Sequence, residues 1–335
     1  MRRRIIKQGH STLTVTLPSR WAKQLALKGG DELEVTERDG GLTLLTDRHP
    51  QKSQITIDLK GLSVQMMWKY FASAYRQGYD EVKVLFAQNK TNYENAYSYF
   101  THHFPHTRLG QKLPEKTVLD TIQDLVNRFI GWGIIDASSE GCTIRELSED
   151  SGKEFDSSLR RIFLLLLQML DKTIDSIEHN KLSDVGKYQE MHVMDTNVDR
   201  FHDFCCRVIN KIGYPQPSKK PLIITSLYLL EILGDELKHI AIHCARSKEE
   251  VSATVLLARK VQEQFRLYYQ LFYTFDKSIL SKISENDQLI YSEHFKLARK
   301  PGITQEERGI LSHLKQVSKK LMALTELRIE MEMCK

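Results

Sequence analysis

Two sets of side chains in this chain have types and spacings that could do chemistry. The first is acidic. Asp195 and Asp199 lie four residues apart with His202 just beyond, and Glu231, Asp235 and His239 repeat the four-residue step. On an α-helix that step stacks side chains on one face, so each stretch turns two carboxylates and an imidazole the same way. If the two helices face each other, the acids converge at one level and could share divalent cations whose charge offsets their repulsion. The same spacing also occurs on solvated helix faces, and that plainer reading stays open. The second set is basic. Arg2, Arg3, Arg4, Lys7, Arg20, Lys23 and Lys28 fall between Met1 and Gly30 without a single Asp or Glu. So concentrated a positive field suits phosphates, although a solvated tail or a targeting signal would carry the same charge.

Other chemistries find less support. His102, His103 and His106 have no Cys or carboxylate at ligand spacing, so a polar loop describes them better than a metal site. There is no phosphate-binding glycine loop, no H-E-x-x-H, and no nucleophile beside a base, so a binding protein is expected and not an enzyme. A di-metal hydrolase is the catalytic alternative that the acid spacing leaves open. Five cysteines form no C-x-x-C pair and no even disulfide set. No apolar run reaches spanning length, and Met1-Arg2-Arg3-Arg4 is followed by no apolar signal core. A reduced, cytoplasmic protein without membrane insertion is expected. With 335 residues, 41% apolar and 27% charged, the chain has room for two or three domains of ordinary composition.

The basic residues sit among regular elements. Thr12 to Leu17 alternates polar and apolar as a half-buried strand does, and Pro18 closes it. Residues 19 to 25 read as a short helix with Trp21 and Leu25 on one side, Gly30-Asp31 turns the chain, and Asp39-Gly40 is a hairpin signal between residues 32–35 and 42–45. So few elements cannot bury a core alone, which makes dimerisation the economical remedy. The order of basic strand, Val15-Thr16-Leu17-Pro18, short helix, Gly30-Asp31, strand and Asp39-Gly40 hairpin resembles the AbrB/SpoVT family of DNA-binding domains. That resemblance implies a swapped-hairpin β-barrel shared by two chains, with Arg2, Arg3, Arg4, Lys7, Arg20 and Lys23 meeting duplex DNA. One departure is Ala26, where a glycine is common.

Beyond a polar edge containing Pro50, residues 53–148 read as a small α/β unit. A strand at Ile55–Leu59, a helix from Leu62 to Gln77 and a strand at Val82–Phe86 form a βαβ crossover. A short helix at Tyr93–Phe104, an apolar-striped helix over 118–129 and strands at 131–136 and 142–147 complete it, in a ferredoxin-like arrangement serving as a rigid spacer. From Ser157 to Lys335 the pattern is all helical. Six helices are expected, beginning near 157, 185, 221, 251, 285 and 305, the last opened by the capping box Thr304 to Glu307.

Leu230-Glu231-Ile232-Leu233-Gly234-Asp235-Glu236-Leu237-Lys238-His239-Ile240-Ala241 resembles the E-R-I-G-D-H-x-x-N-I-A segment of PhoU, the phosphate-uptake regulator, and Asp195 to Asp199 resembles its D-x-x-x-D motif. This implies a PhoU-like bundle of two three-helix units in which Asp195, Asp199, Glu231 and Asp235, with His202 and His239, hold Fe, Zn, Mn or Mg. The last helix offers no matching acidic motif. The whole layout resembles archaeal PhoU-like regulators with an AbrB-type domain in front: residues 1–47 for DNA binding and dimerisation, 53–148 as a connector, 157–335 as the bundle. A transcriptional regulator of phosphate uptake is the expected function. The alternatives are a PhoU-type regulator that contacts a phosphate transporter ATPase or a sensor kinase, with the barrel only dimerising, and an antitoxin.

Overall fold

A computed structural model of the chain describes residues 2–9, 11–38, 41–46, 53–87, 117–147, 154–178, 185–247 and 251–334. The expected helix at 93–104 and the histidines 102, 103 and 106 lie outside the described residues.

In the N-terminal segment β1 (Ile6–Gln8) pairs antiparallel with β2 (Thr12–Thr14), and β3 (Glu34–Arg38) with β4 (Gly41–Leu45). Arg38 stands opposite Gly41, and the expected Asp39-Gly40 turn itself lies outside the described residues. Between the two ribbons lies α1 (Ser19–Gln24), which starts after Pro18. It stops where Ala26 takes the left-handed backbone, φ 47°, the conformation that favours glycine.

The middle unit is a two-layer α/β fold. β5 (Gln54–Asp58), α2 (Val64–Arg76) and β6 (Glu81–Leu85) form the expected crossover, with β5 and β6 parallel. Ser63 caps α2 through the Met66 amide. α3 (Val118–Val126) opens on a reciprocal Thr117–Asp120 capping box and leads to β7 (Trp132–Ala137) and β8 (Gly141–Glu146). The strand order is β5-β6-β8-β7. This is not ferredoxin-like: there another strand separates the parallel pair, whereas here β5 and β6 are hydrogen-bonded neighbours. Ile57, Val82, Val84 and Ile144 meet Met67, Phe71, Tyr75, Ile122 and Leu125 in its core.

Six helices follow: α4 (Phe155–Glu178), α5 (Val185–Lys211), α6 (Lys220–Arg246), α7 (Val255–Tyr273), α8 (Lys277–Ala298) and α9 (Gln305–Met333). α4, α5 and α6 pack on one another, as do α7, α8 and α9, and the two sets join through α6 on α9 and α4 on α7 around one continuous core. The expected start of the fifth bundle helix at 285 is too late. Asp276 caps α8 through the Ser278 amide, and the helix begins there with Ile279 and Ile283 already on the stripe that continues to Ile290.

The α/β unit is fastened to the bundle along a single face of α5. Asp199, Asp203, Arg207 and Lys211, each four residues on, all reach it. Arg207 is 0% exposed. Its Nη1 donates to the carbonyls of Tyr75 (3.0 Å) and Tyr79 (3.1 Å), and its Nη2 lies 2.9 Å from Glu146. The guanidinium also sits over the Tyr75 and Trp132 rings. Asp203 pairs with Arg76 at 2.9 Å, and Lys211 bridges Asp80 (2.8 Å) and Glu146 (2.6 Å). Burial alone would raise the Asp80 carboxyl, but the bonds from Lys211 and Ser53 bring it down to about 2. Removing one partner from such a buried network leaves the others desolvated, at a cost of about 3–5 kcal/mol. Arg207→Ala is therefore expected to lose stability of that order in urea titration, and to expose the junction after Glu146 to limited proteolysis first.

Candidate functional site

The six basic residues singled out from the sequence, Arg2, Arg3, Arg4, Lys7, Arg20 and Lys23, are all exposed. None of them forms an ion pair with another described residue. They share the N-terminal unit with a set of bare apolar side chains: Ile5 is 69% exposed, Leu13 66% and Leu42 66%, with Ile6, Val15 and Val35 more than half exposed. Water-facing Ile, Leu and Val on this scale are what a β unit shows when its other half belongs to a second chain.

The acidic stations do converge. Asp195 is buried, and Gly234 lets α6 approach it, since a Cβ there would stand 3.2 Å from its Oδ1. Into this space reaches Lys238, three residues beyond Asp235. Its Nζ lies 2.6 Å from Asp195 and 2.5 Å from Asp235. Arg128, at the end of α3, meets Asp199 at 3.1 Å while stacking on Trp68. Four carboxylates thus face two cations of the chain itself. Burial and the neighbouring acids push Glu231 up to about 7 and hold Asp199 well above the carboxylate range. Asp195 is raised too, by burial that Lys238 offsets only in part, and its Oδ1 has no hydrogen-bond partner among the described residues. Surplus negative charge in a site of low dielectric is relieved by holding protons. Burial and the nearby Lys238 and Arg128 keep His192 neutral, its pKa lowered to about 4.

As placed, this set does not fit a metal. The Lys238 ammonium occupies the space between Asp195 and Asp235, and among the described residues no three His, Cys, Asp or Glu side chains form a ready metal cradle. The two histidines turn elsewhere. His202 contacts Asp203 at 3.3 Å, the Cys206 thiol and the Tyr228 ring. His239 stacks on His313 of α9. Lys238, His192 and Arg128 were missed from the sequence. For the first two a signal existed, since both lie on the acid-bearing helices within a turn of the stations. Arg128 is distant in sequence and carried none.

The chain is thus a three-part molecule whose exposed basic β unit precedes an α/β unit and a helical bundle. Residues 6–53 match the family described as "Antidote-toxin recognition MazE, bacterial antitoxin". The N-terminal unit is accordingly of the MazE/AbrB type, the domain type of DNA-binding and antitoxin-like regulators. No curated protein and no solved structure matches the chain. No helix among the described residues is long and apolar enough to cross a membrane.

The acid stations carry a pH dependence. Glu231 binds its proton more tightly in the folded chain (about 7) than in the unfolded one (4.5), so stability falls as pH rises through that window and the penalty is complete above it. His192 works in the opposite sense, losing stability as pH falls from 6.5 towards about 4. Glu231→Gln imitates the protonated acid and leaves His192 in place, so the difference between variant and parent reports Glu231 together with Asp199, whose carboxyl it helps to raise. The variant is expected to equal the parent near pH ~4.5 and to unfold at higher urea at pH ~8; parallel profiles would show that Glu231 does not hold its proton.

Proposed function

We propose that this protein is a dimeric DNA-binding transcriptional regulator. The observation that carries the reading is the pairing, within one small β unit, of six exposed cations with uncovered apolar side chains. Two chains closing over Ile6, Leu13, Val15, Val35 and Leu42 would bury the apolar surface and gather twelve cations on one body. Arginine forks then read guanine edges while the lysines set the register on phosphate. The helical bundle is the sensing or partner-binding part, with no catalytic step assigned to it. Phosphate uptake as the regulated process rests on the likeness of the 195–199 and 230–241 segments to PhoU, which also motivates contact with a transporter ATPase or a sensor kinase.

A second reading, an antitoxin, is favoured by the MazE match. Both readings have the N-terminal unit on DNA. They differ in whether a small toxin partner co-purifies and whether its activity is blocked by the chain.

Affinity for duplex DNA is expected to fall by about 0.9 log unit per log unit of salt for each phosphate neutralised. Replacing Arg3 and Arg4 together by Ala should weaken binding and lower that slope by about two for each chain in contact. A slope near zero, or unchanged affinity in the double variant, would remove DNA as the ligand. Leu13→Asp places a charge on the apolar surface and is expected to shift sedimentation from dimer to monomer and to abolish DNA binding with it.

A further inference from the structure

We propose that Lys211 is a releasable clasp through which the helical bundle sets the position of the N-terminal β unit. Lys211 is the last residue of α5, and its ammonium holds two carboxylates of the α/β unit, Asp80 at 2.8 Å and Glu146 at 2.6 Å. Those two acids mark the places where the chain enters and leaves that unit. Asp80 turns its other oxygen to Ser53: Oδ2 accepts from the Ser53 amide at 2.7 Å and from its hydroxyl at 2.9 Å. The Ser53 carbonyl accepts in return from the amides of Asp80 and Glu81. Ser53 stands immediately before β5 and is the first described residue after Thr46 of the N-terminal unit. Glu146 closes β8, ahead of the residues that lead to α4, and its amide donates to the Asp80 carbonyl at 3.0 Å.

Entry and exit of the α/β unit are thus within reach of one side chain of the bundle. Gly78 makes the reach possible. Its φ of 86° belongs to the left-handed region, and a Cβ there would stand 2.5 Å from Cγ of Lys211, so the lysine stem lies directly on the turn between α2 and β6. Lys211 differs from Arg207, one turn earlier, in a way that bears on movement. The Arg207 side chain is wholly buried, so water cannot replace its contacts, whereas the side chains of Lys211 and Asp80 are each 23% exposed. Water and salt ions can take over the contacts of an exposed ammonium. Arg207 is therefore the fixed pivot of the junction, and Lys211 is the end that can open.

The same helix carries the acidic stations. From the rise per residue of an α-helix, Asp195 lies about 24 Å from Lys211 along α5. A helix passes rotation or sliding along its axis as a rigid element, so a change in how Asp195 meets Lys238 of α6 arrives at Lys211 as a displacement of its ammonium against Asp80 and Glu146. With the clasp closed, Ser53 is held and the N-terminal unit leaves the α/β unit in one direction. With it open, the Asp80 carboxylate loses its cation and the Ser53 anchor loosens. The bundle would then control DNA binding by deciding whether two such units are held in place. That control rests on the DNA-binding reading of the N-terminal unit; the clasp itself does not.

The test is amide hydrogen exchange, read by mass spectrometry on the full chain, in the parent and in Lys211→Met, which keeps the stem over Gly78 and removes the ammonium. Peptides containing Ser53, Asp80 and Glu81 are expected to exchange at least ~10-fold faster in the variant, with α4 and α6 unchanged. In the parent, raising salt from about 0.05 M to about 1 M should speed exchange in the same peptides, and in the variant salt should add nothing. Unchanged protection of those peptides in the variant and at high salt, or acceleration spread evenly through the bundle, would overturn the clasp. Control of DNA binding is read by a double-mutant cycle. Asp195→Asn should shift the affinity of the parent for duplex DNA by at least ~3-fold and leave that of Lys211→Met unchanged. No shift in the parent, or equal shifts in both backgrounds, would overturn the coupling. A parent chain that does not bind DNA would remove the DNA-binding reading alone, with hydrogen exchange still deciding the clasp.

Discussion

Arg207 is the side chain on which the arrangement of this molecule turns. A guanidinium cannot be deprotonated at any ordinary pH, so once it is fully buried every one of its contacts becomes obligatory. Those contacts are two carbonyls at the end of α2, the Glu146 carboxylate at the end of β8, and the rings of Tyr75 and Trp132. They come from the α/β unit, whereas Arg207 itself belongs to α5 of the bundle. The charge therefore specifies a docking geometry as well as contributing energy. Asp203, one turn earlier, repeats the pattern against Arg76 with the signs exchanged, and Lys211, one turn later, repeats it against Asp80 with the same signs. A slip of the α5 face by one turn would set like charges against each other.

With that face of α5 committed, the turns before it have little choice. Asp195 and His192 precede Asp199 by one and two turns, and they lie beside α6. The result is a helix with two duties. Asp199 touches Arg128 of the α/β unit, and Asp195, one turn earlier, touches Lys238 of α6. Asp195 and Glu231 are also what, after burial, keep the Asp199 carboxyl raised. A proton or charge change on the α6 side thus alters the anchor on the α/β side through a distance of a single turn. No long chain of intermediaries is required.

Where local pattern decides, the sequence was informative. The antiparallel pairing of β3 with β4, the βαβ crossover, the box at Thr304 and the helix starts near 185, 221 and 305 all follow from local pattern. The acidic stations were legible as a convergence, because four-residue spacing fixes direction. Their partners were not. Lys238 had to bend back between Asp195 and Asp235, and Arg128 arrives from another unit altogether. Strand order failed for a related reason: alternation marks Cys142 to Leu147 as a strand but cannot say that it lies beside β6, which puts β7 at the edge. The stripe Asp199, Asp203, Arg207 and Lys211 was written at helical spacing and could have been found. It looked like a solvated face, and what hides it is that Arg207 is a charge with no water.

His239 shows most clearly how a face is narrower than a residue spacing. It lies four residues from Asp235, which sequence alone places on the same side, yet Asp235 reaches Lys238 while the His239 ring lies against His313. A four-residue step advances the helix by about 40° beyond a full turn. Two steps from Glu231 therefore carry the stripe across from α5 towards α9. The drift divides one apparent motif into two: acids answered by Lys238 on one side, imidazoles backed by Glu236 and Glu306 on the other. Chemically these halves are different places. The first is anionic, its charge offset only in part by a fixed ammonium. The second is built of imidazole rings, and the carboxylates of Glu236 and Glu306 stand behind two of them instead of among them.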